Sequence, residues 1–514
     1  MLKMLERQPN RCKVRSVDVP KLFYVTPLAR EEFPTDKKPP KTRFKNLKRY
    51  FGQYCEESTI HGVKYIGQSG RPFLEKLIWT VIVTFLCTIC MMLIREAYLM
   101  WRSSPVTVTF KNKETPISRI PFPAVTLCPD IKFDPEKFNF TGTILKKRSG
   151  AILTAQEEEY LQIAILVCEP KIQCRHYLGL TGWNDTVTNA SNKLLEVMSP
   201  LDPHNLISIS WLGKSLNLSA LPLTLTSEGI CHTFNMLPYE EIVKHHRPLT
   251  ISRPKHRSHK WTLERGYPPG QNLHAFPRRT FMPGIDGGFA LRFLYTNHSH
   301  IDYLCGESLQ GYKVALHHPS EFPNMDKHFR LPLDQAVFVA IKPSMITVSN
   351  ELLNYPPKVR ECYFDKERNL SSYLFYTQSN CLNECLANYT SAHCRCIPFY
   401  LALLDTNLKI CGPGQSQCVK ESKLRYLENE TDTDREVEKC ECLPSCTSLS
   451  YDVETSQSDW RWQKVTKVLQ FPQLKHINSD KYAKTFISNN IPIIFQHALI
   501  NVECLLQGFT VFEL

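Results

Sequence analysis

Several features that would define common protein classes are missing from this chain. It has no G-x-S-x-G, no H-E-x-x-H, no P-loop and no paired catalytic signature. Those absences argue against an anchored hydrolase, metalloprotease or nucleotidase, and the scattered Asp, Glu and His take no enzymatic role from one sequence. No internal repeat or low-complexity tract occurs, so a solenoid or an array is not expected. No N-x-S/T sequon precedes residue 77. Long apolar runs are equally scarce, with a single one in 514 residues.

That run, Leu77 to Ile94, carries no charge, Pro or Gly over 18 residues. At 1.5 Å per residue it makes a helix of roughly 27 Å, close to the hydrocarbon thickness of a bilayer. Trp79, Tyr98 and Trp101 sit near its ends, where amphipathic rings favour the headgroup zone. A buried core helix rarely runs this far without a polar face. A signal peptide needs its apolar run near the start, whereas 76 residues precede this one. The run is read as a retained anchor.

Residues 1–76 hold 17 Lys+Arg against 8 Asp+Glu, a net of +9, while the whole chain is +12. The basic excess therefore lies before the anchor, which places the N-terminus in the cytoplasm and the rest outside. It calls for a bilayer as partner, not nucleic acid. The sequons agree: Asn139, Asn184, Asn189, Asn217, Asn297, Asn369, Asn388 and Asn429 all follow the anchor and are expected to be glycosylated. Cysteine usage is the stronger signal. Of 20 cysteines, 15 fall between residues 128 and 446, a density that reads as a disulfide framework in an oxidising compartment.

The fold class expected is a membrane protein with one N-terminal transmembrane helix and a large disulfide-rich α+β ectodomain. Its parts are a cytoplasmic segment 1–73, the helix 74–98, the ectodomain 99–455 and a divergent tail 456–514. Residues 1–50 are basic, contain Pro34, Pro39 and Pro40, and read as mostly disordered, with KTRFKNLKR (41–49) suited to anionic lipid or equally to a plainly solvated tail. In 51–73, Ser58 or Thr59 is a candidate cap for a short helix, and His61-Gly62 alone reads as a turn. Val106–Phe110, 229–235, 287–295 and 336–348 read as strands, and 155–167 and 190–197 as helices. The basic, His-rich stretch 240–282 reads as a solvated loop in preference to a metal, anion or glycan site, because no ligand spacing repeats.

From Cys362 the cysteines crowd. Cys381 and Cys385 are four apart and share a face of a helix; Cys440 and Cys442 are two apart and share a face of an extended segment. A helix stapled to a returning strand accounts for both spacings. The rival is a zinc site from Cys381, Cys385, His393 and Cys394, which suits a reducing cytosol better than a glycosylated exterior.

Taken together, STIHGVKYIG (58–67), the anchor, IPFPAVTLCP (120–129), GICHTFN (229–235) and the block ending CECLPSCTSLSYD (440–452) resemble the epithelial sodium channel/degenerin family, in particular its insect pickpocket branch. The resemblance covers roughly residues 50–455. It implies a subunit of a homo- or heterotrimeric, non-voltage-gated, amiloride-sensitive-type sodium channel at the plasma membrane, with sodium as permeant ion, no cofactor or metal, and an extracellular ligand that the sequence leaves open. It implies two membrane helices and an ectodomain of palm, β-ball, finger (135–230), knuckle and thumb (360–446). It implies pairings Cys128–Cys231, Cys168–Cys174, Cys362–Cys446, Cys381–Cys442, Cys385–Cys440, Cys394–Cys418 and Cys396–Cys411. Cys305 is then left over, with Cys504 as a conceivable partner. His61 and Gly62 become the gating motif on the cytoplasmic side of the pore.

The sequence departs from the family pattern in two places. Acid-sensing relatives carry a Trp two residues before the first thumb cysteine, where this chain has Arg360. The family's second membrane helix and its G-x-S filter are also not recognisable. After Tyr451 the longest uncharged apolar stretch is IPIIFQHALI (491–500), too short to span a bilayer. The expectation is therefore no selectivity filter in these residues, with a pore-less regulatory subunit or a single-pass extracellular binding glycoprotein as the alternative functions.

Overall fold

The computed structural model describes residues 43–103, 106–110, 115–168, 180–198, 206–244, 261–270, 275–284, 287–293, 302, 304–305, 311–332, 335–401, 409–431, 440–459, 493–495 and 500–506. Two compact units are present, residues 1–99 and 100–514. The expected disordered tail over residues 1–42, the sequon at Asn297, Cys174 and the basic run 245–260 lie outside the described residues.

The first unit contains α1 (Arg43–Glu57), α2 (Val63–Gly67) and the start of α3 (Phe73–Ser103). The expectation of disorder to residue 50 is corrected here: the chain is helical from Arg43. The reason is a seam of Gly52 and the fully buried Cys55 against Gly67 of α2. Ser58 and Thr59 do not cap α2. Gly62 is its N-cap residue, and the Ser58 hydroxyl accepts the Ile60 N–H within the preceding turn.

Helix α3 is 31 residues, roughly 46 Å at the α-helical rise. Among the described residues it is the one helix long and apolar enough to cross a membrane. Its three threonines fold back on their own backbone: Thr80, Thr84 and Thr88 donate to the carbonyls of Lys76, Thr80 and Thr84 at 2.7, 2.7 and 2.9 Å. Each hydroxyl is satisfied within the helix, so these positions carry little desolvation cost in lipid.

The second unit is built on two five-stranded sheets. One joins β1 (Val106–Phe110), β15 (Ile500–Leu506), β11 (Gln335–Val348) and β13 (Ser448–Asp459), with β14 (Ile493–Phe495) also paired to β11. Strands β11 and β13 are antiparallel in continuous register from Gln335↔Asp459 to Ile346↔Ser448. Alternate residues Val337, Val339 and Ile341 are fully buried, as a period-two strand with one face on a core requires. The residues after 456 therefore include strands of this sheet, which their weak apolar pattern did not disclose.

The other sheet runs β10 (Phe329–Leu331), β9 (Tyr312–His317), β2 (Ala124–Pro129), β7 (Gly229–Phe234) and β6 (Leu223–Thr226). β2 and β7 are buried at every position, the pattern of central strands covered on both faces. A smaller sheet of β4 (Leu206–Trp211), β5 (Lys214–Leu216) and β8 (Phe289–Phe293) adds Trp211 and Phe289 to the shared core. There Phe234 stacks on Phe289 at 4.1 Å and Phe122 meets Trp211 edge-on at 4.7 Å. The β6–β7 turn is pinned by an ionic cluster: buried Glu228 accepts from Lys132 at 2.8 Å and Lys313 at 3.1 Å.

Helices α4 (Phe140–Arg148), α5 (Ala155–Cys168) and α6 (Ala190–Val197) form a lobe on their own apolar core, and a short helix α7 (Tyr239–Ile242) follows β7. A further short helix α8 (Pro357–Arg360) precedes the long helices α9 (Gln378–Cys394) and α10 (Ser416–Thr431). The strands β3 (Thr186–Val187) and β12 (Ile410–Cys411) pair the α5–α6 lobe to the segment before α10. Gly412 N–H donates to Asp185 O at 2.7 Å and Gly414 N–H to Asn184 O at 2.8 Å. A Cβ at Gly412 would stand 2.3 Å from Asn184 O, so only glycine permits this clasp.

Candidate gating site and disulfide ladder

The motif singled out in sequence, His61-Gly62, lies in the link between α1 and α2. Gly62 is buried with φ of +91°, a conformation L side chains rarely adopt. Its Cα faces the membrane helix: an added Cβ would stand 3.0 Å from both the Trp79 ring and the Val83 methyl. The loop is thus seated directly on α3, one turn inside the anchor. His61 beside it is exposed.

Neighbouring residues hold the loop in place. Tyr65 of α2 meets Trp79 with ring centroids 4.8 Å apart. The Arg71 guanidinium lies 4.5 Å over the Tyr65 ring, donates to Gln68 at 2.8 Å and pairs with Glu75 in the first turn of α3. Gly67 closes the other side: a Cβ there would stand 2.3 Å from the Cys55 Cβ, so α1 and α2 touch backbone to side chain. Burial pushes the Cys55 thiol upward, away from the reactive thiolate. Sequence reasoning found Gly62. It missed Trp79, Val83, Gly67 and Arg71, whose importance appears only once the loop is folded against the helix.

Among the described residues of the second unit, seven disulfides are formed. Cys128–Cys231 crosses between β2 and β7, and Cys362–Cys446, Cys381–Cys442, Cys385–Cys440, Cys394–Cys418 and Cys396–Cys411 form the ladder expected from the resemblance. Cys381 and Cys385 project from one face of α9 onto the extended 440–446 segment, which side chains also bind. Arg368 donates to the carbonyls of Cys440 and Glu441, Gln378 to that of Cys442 and Tyr376 to that of Leu443. The zinc alternative loses three of its four ligands to these bonds.

One pairing is corrected. Cys168 bonds Cys305, 137 residues away, not Cys174. Cys168 is the last residue of α5, and the segment 302–305 is brought to this lobe by Asp302, which accepts the Thr141 N–H at 3.1 Å and its hydroxyl. Cys305 is therefore neither left over nor a partner of Cys504. The resemblance implied Cys174, and the contact of Asp302 with Thr141 brings Cys305 to Cys168 instead.

Arg360 has its own role. It is buried, and its guanidinium donates to the carbonyls of Tyr355 at 2.6 Å, Cys362 at 3.0 Å and Leu352 at 3.4 Å and pairs with Glu367. It ties the turn leading into the ladder to its first cysteine. A tryptophan at this position has a single N–H donor, too few for three carbonyls and a carboxylate.

The six sequon asparagines whose exposure is described, Asn139, Asn184, Asn189, Asn217, Asn369 and Asn388, are all exposed. Asn139 also caps α4, its Oδ1 accepting the Gly142 N–H at 2.7 Å. Asn429 lies in α10.

A proton-sensitive group sits where β9 leads toward α9. Burial pushes the Glu321 carboxyl up to about 7, against the opposing effect of the Thr377 hydroxyl that bonds it. Thr377 in turn caps α9 by accepting the Asn380 N–H at 3.1 Å. Between its ordinary value of 4.5 and about 7, the folded chain keeps a proton that the unfolded chain releases. This group's contribution to stability therefore falls as pH rises through that window. Buried His317 and His318 act in the opposite sense, lowered to about 4 and about 3 by burial, so they destabilise the fold as pH falls below 6.5. Glu321→Gln should flatten the alkaline side of the profile and raise the melting temperature at pH 8. Thermal melts of the purified chain from pH 5 to 8 check this, and identical profiles for the two proteins would contradict it.

An apolar anchor followed by a disulfide-bonded, sequon-bearing α+β domain, with a glycine loop seated on the anchor's first turns, defines a membrane-anchored receptor or channel-type architecture. The amiloride-sensitive sodium channel family model matches residues 54–500, and the chain belongs to that family, whose members are ion channels and not enzymes. Pickpocket protein 28 of Drosophila melanogaster is 26% identical, aligned over 81% of this chain and 66% of its own length. The chain thus covers just under two thirds of that relative. Sodium channel protein Nach of the same fly is 21% identical over 79% of this chain and 73% of its own. The bile acid-sensitive ion channel of Mus musculus is 23% identical over 82% and 74%.

Proposed function

We propose that this chain is a subunit of a homo- or heterotrimeric, non-voltage-gated sodium channel of the amiloride-sensitive type at the plasma membrane. Its N-terminus is cytoplasmic and its disulfide-rich domain extracellular. The observation that carries the reading is Gly62, a glycine at positive φ packed on Trp79 and Val83, in a chain that also forms the ladder. A loop held this tightly against a membrane helix transmits its own rearrangement to that helix. Sodium is the permeant species, and the reading needs no cofactor or metal. The functional test is co-expression with a full-length relative in cells lacking family members. Co-purification of the two, with an amiloride-sensitive current altered by this chain, is expected; failure to co-purify would contradict the assignment.

The topology rests on the +9 segment before the anchor and on exposed sequons after it. Peptide-N-glycosidase should lower the mass of the membrane-expressed chain, and alanine at several of the eight asparagines should remove the shift. Unchanged mobility in both experiments reverses the orientation.

A further inference from the structure

We propose that helix α1 lies flat on the lipid surface at the N-terminal end of the anchor, its aromatic face set into an anionic headgroup layer. The rotation of α1 is determined by its inner seam. Gly52 and Cys55 face Gly67 of α2, where there is no room for a single methyl group. At 100° per residue, Tyr50 and Tyr54 then fall on the opposite side, with Phe51 between them and the seam. All three are left bare: Tyr50 is 71% exposed, Phe51 54% and Tyr54 64%.

Three bare aromatics on one helical face make an apolar patch that soluble surfaces seldom carry. Their position names the occupant. α2 ends at Gly67 and the anchor begins at Phe73, so α1 is fastened within a short link of the point where the chain enters lipid. Phe73 and Leu74, at that entry, are themselves 80% and 68% exposed. The charge is complementary as well: the segment up to residue 76 carries +9. Tyrosine suits the zone, its ring apolar and its hydroxyl wet. A helix with these features buries its apolar face roughly 5–10 Å into the headgroup boundary. Held there, α1 gives the Gly62 loop a fixed platform on its N-terminal side.

The test uses the full chain in nanodiscs, with p-benzoylphenylalanine replacing Tyr54 and, as control, Glu56 on the polar side of α1. Discs contain phosphatidylcholine alone or with phosphatidylserine, each traced by an alkyne-tagged lipid. Irradiation should give at least fivefold more lipid adduct from position 54 than from position 56, and more in phosphatidylserine discs. A chain-to-chain adduct from position 54 would assign the face to a second subunit and overturn the proposal. So would equal lipid labelling at the two positions, or equal labelling at position 54 in the two kinds of disc.

Discussion

Gly62→Ser in a conducting complex is expected to shift open probability about tenfold. Two costs add at this position. A non-glycine residue held at positive φ costs on the order of 1–3 kcal/mol. The new Cβ would also press on Trp79 and Val83 at 3.0 Å, closer than ordinary contact. About 1.4 kcal/mol is a tenfold change in an equilibrium, so even the lower half of that range is visible in single-channel records. The substitution favours whichever state lifts the loop from α3, because leaving the helix relieves both costs. Val83→Ala removes the Val83 share of the steric part and leaves the Trp79 contact and the backbone part, so the double variant should lie between the wild type and Gly62→Ser. An unchanged open probability in Gly62→Ser would show that the loop's packing on α3 is not coupled to gating.

Opening the ladder should have the largest effect on stability, and the effect should be strongly non-additive. Cys362–Cys446 closes a loop of 84 residues, which the chain-entropy relation converts to about 4.5 kcal/mol in an otherwise open chain. Here the bond is nested. With Cys381–Cys442 in place, cutting Cys362–Cys446 releases only about 23 residues, worth about 3.4 kcal/mol in the same relation. Removing Cys362–Cys446, Cys381–Cys442 and Cys385–Cys440 together removes every covalent link from α9 and its flank to the 440–446 segment. Against a typical domain stability of about 5–15 kcal/mol, the triple loss should abolish the protease-resistant ectodomain and its surface display. The single pair Cys362→Ala with Cys446→Ala should instead be displayed in reduced amount. Surface biotinylation and limited proteolysis of both variants measure the contrast. Equal display of wild type and triple variant would mean that packing, not the ladder, holds this region.

Much of this protein was legible from local pattern. The anchor needed only an uncharged run of adequate length, because lipid imposes the same requirement on any helix. The strands at 106–110, 229–234 and 335–348 and the helices at 155–168 and 190–197 follow from periodicity, and the latter two strands and both helices bury one face or both. Spacings of four and two explain why Cys381 and Cys385 face Cys440 and Cys442. The resemblance supplied the identity of Gly62, which as a lone glycine beside a histidine reads only as a turn.

Tertiary structure decided the rest, because it depends on contacts between distant residues. Cys168 finds Cys305 only after Asp302 has bonded Thr141, an approach across more than a hundred residues that no spacing encodes. The clasp between 184–187 and 410–414 needs Gly412 and Gly414 where two backbones meet, and neither glycine announces this locally. Arg360 reads as a missing aromatic until its guanidinium is seen to serve three carbonyls and a carboxylate. Residues 43–50 read as part of a basic, proline-bearing tail, and become helix because Cys55 has Gly67 to pack against. The sequence by itself determined which segment is long and apolar enough to cross lipid and where the cysteines crowd, since solvent transfer and thiol chemistry act residue by residue. Only the folded chain decided which surfaces touch, because steric fit belongs to pairs.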